Sequence, residues 1–256
     1  MIISASRRTD IPAFYSQWMV NRLKEGNVLV PYPRTSEKLG SITLQPDIVD
    51  CIVFWSKNPA PILDKLDIID KLGFKYYFSF TVTGYGTDTE RNLPPKERII
   101  DTFLRLSEKV GPERVDWRFD PIQVNSRYTI EWHLDTFGEM CRRFKGATER
   151  CIINFIKSYS YLPNVREMDN DVIQKTAQGI VKISQEHGIP VYKCAATSGL
   201  CDIGIQHSSC IDKAKIEKIC GYPLLAEKDT GQPYACGCIK SIDIGMYNTC
   251  ANGCIY

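Results

Sequence analysis

Short apolar runs alternate with helix-like segments along the first three-quarters of this chain, and that alternation restricts the fold more than any other feature. Ile2–Ala5, Cys51–Trp55, Tyr76–Val82, Val115–Phe119, Cys151–Ile156 and Pro190–Cys194 read as strands. Pro12–Glu25, Pro61–Leu72, Lys96–Val110, Tyr128–Phe144 and Asp169–His187 have helical periodicity between them. Cys51–Trp55 is apolar throughout, as a strand covered on both faces would be. Val28–Val30 and Ser41–Leu44 add two short strands around a Pro-rich connection. Asp10 suits a helix N-cap, Pro12 the first turn and Gly26 the stop. Strand and helix repeat at roughly 35-residue spacing, which requires parallel βαβ connections. The expectation is an α/β protein with a parallel (β/α) barrel, TIM-like, complete or partly open. A doubly wound sheet is the alternative, weakened because no Gly-x-Gly-x-x-Gly follows a strand.

The pattern changes near residue 197. Residues 197–256 are rich in Cys, Gly and Asp, with one clear helix around Lys213–Cys220. The expected division is a barrel over 1–196 and a Cys-rich, metal-binding segment over 197–256, packed on the barrel mouth and held together by bound metal. Of the 11 cysteines, only Cys51, Cys141 and Cys151 precede Cys194. Those three sit in apolar runs and are expected to be buried small hydrophobes. The others cluster, and in a reducing compartment clustered cysteines point to metal or thiol chemistry. No stretch is long and apolar enough to span a membrane, and the N-terminus lacks the order of a signal peptide, so a cytoplasmic protein is expected. The net charge of +2 gives no electrostatic case for nucleic acid or membrane surfaces.

In a parallel barrel the chemistry gathers where strands end. Here those ends are polar: Ser6-Arg7-Arg8-Thr9-Asp10, Ser56-Lys57-Asn58, Thr81-Val82-Thr83, Arg118-Phe119-Asp120, Lys157-Ser158-Tyr159 and Lys193-Cys194. Converging on one mouth, they would line a pocket for an anionic or zwitterionic small molecule, since Arg and Lys suit carboxylate and phosphate. Arg7, Arg8, Asp10, Lys57, Arg118 and Asp120 are the candidate catalytic residues, and Asn58, Thr81, Thr83 and Lys157 the candidate cofactor contacts. The three histidines, His133, His187 and His207, form no hydrolase motif.

Cys250-x-x-x-Cys254 begins a Cys-x3-Cys-x2-Cys spacing whose third position falls just past Tyr256. Three thiolates on one tight loop hold three corners of a [4Fe–4S] cluster and leave the fourth iron open. Gly253 lets the backbone turn closely, and Tyr256 is placed to shield the cluster. Cys194, Cys210, Cys236 and Cys238 are candidates for a second centre, either another cluster or tetrahedral Zn²⁺.

Several segments together resemble the bacterial family called domain of unknown function 1848. They are Ser6-Arg7-Arg8-Thr9-Asp10-Ile11-Pro12-Ala13-Phe14-Tyr15, Phe54-Trp55-Ser56-Lys57-Asn58-Pro59, Thr81-Val82-Thr83-Gly84-Tyr85-Gly86, Arg118-Phe119-Asp120-Pro121, Cys210-Ile211-Asp212, Cys236-Gly237-Cys238 and the closing Ser241 to Cys254. The resemblance covers essentially the whole chain. It implies a C-terminal cysteine cluster similar to that of radical S-adenosylmethionine enzymes, in permuted order on a partial barrel. It further implies a [4Fe–4S] cluster, S-adenosylmethionine, and an electron donor such as a ferredoxin or flavodoxin. The family pattern continues with a third cysteine, and this chain departs from it there.

Overall fold

The structure is a computed structural model that describes residues 1–32, 35–157, 167–194 and 198–256. Strand β1 (Ile2–Ala5) leads through α1 (Ile11–Phe14) and α2 (Ser16–Glu25) to a hairpin of β2 (Asn27–Tyr32) and β3 (Thr35–Thr43). Strand β4 (Cys51–Ser56), a turn of 3-10 helix at Ala60–Lys65 and α3 (Leu66–Lys71) follow. Then β5 (Tyr76–Thr81), α4 (Lys96–Val110), β6 (Val115–Ile122), α5 (Ile130–Phe144), β7 (Cys151–Phe155), α6 (Asn170–His187) and β8 (Val191–Cys194) alternate. The last quarter carries α7 (Ser198–Cys201), β9 (Gln206–Ser208), α8 (Lys213–Cys220) and β10 (Ile242–Asp243).

Eight strands form one parallel sheet in the order β10-β1-β4-β5-β6-β7-β8-β9, and β2 pairs with β3 apart from it. From β1 to β9 each strand lies beside its successor, without the reversal a doubly wound sheet requires. β10 returns to flank β1, in parallel register Ile3 to Ile242 and Ser4 to Asp243. Among the described residues no pairing joins β9 to β10. The winding is that of a (β/α) barrel, left open at one seam.

The first part of the sheet is apolar on both faces, as the run Cys51–Trp55 predicts. Ile3, Ile52, Phe54, Phe78, Phe80, Trp117, Phe119 and Ile153 face the helices. Trp117 stacks on Phe137 of α5 at 5.0 Å, and Phe103 of α4 stacks on Phe144 at 4.1 Å. On the opposite, inner face Ile2, Cys51, Val53 and Tyr77 pack against Ile211, Ile216, Leu224 and Ile239. That face turns polar toward the strand ends, with Ser79 opposite Asp116 and Thr81 opposite Arg118. Asp116, 1% exposed, accepts two N–H groups of Arg150 at 2.8 Å each and Lys215 Nζ at 2.7 Å. Burial alone would raise its pKa, but Lys215 and Arg150 hold it below the usual carboxylate range. Arg150 reaches on to Asp212 at 2.7 Å, and Asp212 caps α8 by accepting the Lys215 N–H at 3.2 Å. The network clamps α8 onto the inner face.

Two helix expectations need correction. Pro12–Glu25 is split, because Tyr15 leaves helical geometry (φ −129°, ψ 24°) and donates its hydroxyl to Thr249 O at 2.7 Å. Pro61–Leu72 begins as 3-10 helix. Cys51, Cys141 and Cys151 are fully buried as expected, and burial pushes the Cys141 thiol up to about 12.

Candidate functional site

The ends of β1, β4, β5 and β6 converge on one cavity of about 350 Å³. Arg7, Arg8 and Asp10 follow β1, Trp55 and Lys57 lie at the end of β4, and Thr81 closes β5. Arg118 and Asp120 come from β6, and Cys250, Asn252 and Cys254 complete the wall. The Trp55 ring is flanked by the guanidinium groups of Arg7 at 5.7 Å and Arg118 at 5.4 Å, both within cation–π range. Its Nε1–H donates to Ser4 Oγ at 3.1 Å, which fixes the ring. Buried Arg118 donates to Asp120 and, at 3.3 Å, to Cys210 Sγ, while Asn154 donates to Asp120 at 3.2 Å.

Asp243 sets the turn that carries the arginines. It accepts Ser4 Oγ at 2.9 Å, Ser6 Oγ at 2.5 Å and the Arg7 N–H at 2.8 Å. Asp10, 5% exposed, joins three parts of the chain. It accepts the Ala13 N–H at 3.0 Å, Ser56 Oγ at 2.7 Å, the Lys57 N–H at 2.8 Å and Asn252 Nδ2 at 3.0 Å. Burial pushes its pKa up against these hydrogen bonds.

Glu90 is the second buried carboxylate beside the mouth. It accepts Lys57 Nζ and Thr83 Oγ1, each at 2.8 Å, and closely contacts Lys96 Nζ and the Tyr256 hydroxyl. Burial would raise its pKa, but Lys57 and Lys96 bring it down to about 2. The final residues dock on the same loop. Ile255 N–H donates to Thr89 O at 3.1 Å, Asn92 N–H to Asn252 O at 3.1 Å, and Asn92 Nδ2 to Ala251 O at 2.8 Å. Gly253 turns there at φ +66°, and a Cβ on it would lie 2.8 Å from Asn92 Nδ2.

A separate group of thiols lies behind Arg118. The sulfurs of Cys194, Cys236 and Cys238 are all within 4.8 Å of one another, close enough to hold a metal ion. Cys194 and Cys236 approach to 3.3 Å. The neighbouring thiols of Cys194 and Cys238, with Arg118 beside it, draw the Cys210 thiol well below the ordinary value despite burial. Ile211 N–H points at Cys238 Sγ, 3.4 Å away.

Arg7, Arg8, Asp10, Lys57, Thr81, Arg118, Asp120, Cys250 and Cys254 therefore share one cavity wall. Other residues singled out in the sequence lie elsewhere. Asn58 accepts the Ala60 N–H at 3.4 Å, Thr83 spends its hydroxyl on Glu90, and Lys157 is exposed past β7. Ser158 and Tyr159 lie outside the described residues. Tyr256 anchors on Glu90 and sits under Lys57 Nζ, 5.2 Å from its ring centroid. Glu90, Trp55, Asn252 and Asp243 were not anticipated as site residues. Glu90 lies in an irregular loop, and its only sequence signal was a position soon after the end of β5.

The sequence model of the family named domain of unknown function 1848 matches residues 2–256, and the chain belongs to that family. No curated protein matches it. Solved structures of similar shape include Clostridium cellulolyticum H10 D-psicose 3-epimerase with D-tagatose, at 11% identity and a TM-score of 0.42. That likeness covers 86% of this chain and 81% of the epimerase. Another is Rhizobium etli pyruvate carboxylase T882A with acetyl coenzyme A, at 11% identity and a TM-score of 0.42. It covers 83% of this chain and 17% of the carboxylase. Likenesses this distant carry no argument about chemistry.

Proposed function

From its membership of that family, we propose that the protein is an iron–sulfur enzyme resembling radical S-adenosylmethionine enzymes, with a [4Fe–4S] cluster at the barrel mouth. The observation that supports this reading is that Cys250 and Cys254 open on the same cavity as Arg7, Arg8, Lys57 and Arg118. Cys250 is exposed and Cys254 half-buried, so both thiols are accessible from the cavity. They would supply two of the thiolates that hold the cluster. Once bound, the cluster would supply the electron that cleaves the sulfonium of S-adenosylmethionine.

The chain's own residues would bind and orient. Arg7, Arg8 and Arg118 would receive the carboxylates of S-adenosylmethionine and of an anionic or zwitterionic substrate. Trp55 offers a flat face between two of them. Thr81 would contribute a polar contact from the cavity wall. Lys57 is held by Glu90 and Asp120 by Arg118, so both charges are oriented before a ligand arrives. Asp10 and Thr83 act as positioning residues, because their polar atoms are already engaged. A ferredoxin or flavodoxin would approach on the side of exposed Cys250.

Anaerobic reconstitution tests the reading. A protein given a cysteine directly after Tyr256 should take up about four iron and four sulfide per chain and show thiolate-to-iron absorbance. Cys250→Ala and Cys254→Ala should abolish both. A second reading, a zinc-stabilised protein that only binds an anionic ligand, is favoured by the tight thiol group behind Arg118. Zinc without colour in every variant would select it.

A further inference from the structure

We propose that Cys194, Cys210, Cys236 and Cys238 form a mononuclear tetrathiolate site for a thiophilic divalent ion of the zinc class, distinct from any cluster at the mouth. The ligand spacing is the first reason. Four sulfurs bonded to one ion at about 2.3 Å stand about 3.8 Å apart in a tetrahedron. Cys194, Cys236 and Cys238 already fall within 4.8 Å of one another, with one pair at 3.3 Å, and Cys210 follows the strand end beside Cys194. A cubane would need a whole iron–sulfide cage between the sulfurs, and so a wider set.

The second reason is how the backbone brings them there. β8 and β9 pair in parallel with Cys194 opposite Ser208, so Cys194 and Cys210 emerge from adjacent strand ends. Cys236 and Cys238 come from one tight loop, held by Asp229 N–H to Cys238 O at 2.8 Å and Ile239 N–H to Ile211 O at 3.2 Å. Gly237 makes the approach possible, since a Cβ there would lie 2.5 Å from Ser209 Oγ. The third reason is the surroundings. Cys236 and Cys238 are 4% and 1% exposed. The Arg118 guanidinium and the Ile211 N–H point at the sulfurs of Cys210 and Cys238, donors of the kind that stabilise thiolates from outside a metal's ligand shell. Arg118 also grips Asp120 in the cavity wall, so the ion would orient a residue of the mouth.

The test uses the full chain purified aerobically, with zinc as the probe. X-ray absorption at the zinc edge should show a single shell of four sulfurs at about 2.3 Å, and metal analysis one zinc per chain. Cys250→Ala/Cys254→Ala should retain that zinc. Cys210→Ser and Cys238→Ser should lose it, and Arg118→Met should weaken zinc about 10- to 100-fold. Iron and sulfide in equal amounts in the Cys250→Ala/Cys254→Ala protein would overturn the proposal. So would a zinc shell containing nitrogen or oxygen. The zinc spectrum of the unaltered chain keeps the test decisive if a cysteine variant fails to fold, and it is independent of whether the mouth binds a cluster.

Discussion

Glu90 concentrates the electrostatics of the mouth. Two lysines face a carboxylate that is 2% exposed, so its charge is held in the fold and not by solvent. Its pKa falls from 4.5 to about 2, a depressed value. Its contribution to stability is therefore complete above about pH 4.5 and is lost as pH falls toward 2, on the order of 3 kcal/mol in all. Glu90→Gln should cost about 3 kcal/mol at pH 7, because it leaves Lys57 and Lys96 without their counter-charge. In urea unfolding, the gap between the two proteins should narrow from pH 7 to pH 3; a constant gap would contradict the assignment. Asp10 behaves differently, because its role is to receive four hydrogen bonds. Asp10→Ala should cost about 2–4 kcal/mol and free Asn252, to be read as a lower thermal midpoint together with faster amide exchange at Asn92.

The elements that package the site are of two kinds, and the sequence shows them unequally. Lys96–Val110 reads as a helix from its spacing and is α4 residue for residue, because an amphipathic helix on a sheet carries its burial in its period. Trp117→Ala should cost about 3–5 kcal/mol in a denaturant melt, since it empties the stack on Phe137 under α5; a loss below 1 kcal/mol would refute that packing. Val115-Asp116-Trp117-Arg118-Phe119-Asp120 alternates strictly between apolar and charged, and its charged positions line the inner face. What covers that face was not legible, since β9, β10 and the Cys236 loop are short, aperiodic and joined to the sheet only by long-range pairing. The strand-end arginines and Cys194, Cys210, Cys236 and Cys238 could be read from residue type and position. Glu90 could not, because a loop carboxylate has no period to betray its partners. The tail is pinned at a single backbone geometry. Gly253→Ala adds a side chain at φ +66° against Asn92, so the Ile255 and Asn92 amides should exchange at least tenfold faster while α4 is unchanged. Unaltered exchange at those amides would show that the tail tolerates a Cβ.

At the scale of the whole molecule, one open-seamed barrel holds two sets of thiols. One set lies behind Arg118 on the inner face, and the other opens on the cavity at the strand ends. The segment between α8 and β10 has little regular structure and packs on the sheet through Leu224, Cys236, Cys238 and Ile239. Metal bound there would substitute for the hydrogen-bonded ladders the segment lacks. Stripping metal with a chelator should therefore expose residues 222–241 to protease before any cut appears in α4 or α5. Cleavage in the helices first would show that the segment stands without it. On the proposed function, the mouth would be a cluster site open to S-adenosylmethionine. The most direct measurement is electron paramagnetic resonance of the reduced, reconstituted protein carrying a cysteine after Tyr256, recorded with and without that molecule. The predicted result is a [4Fe–4S] signal that shifts on its addition and disappears in Cys254→Ala. A signal indifferent to S-adenosylmethionine, or one that survives loss of Cys254, would contradict it.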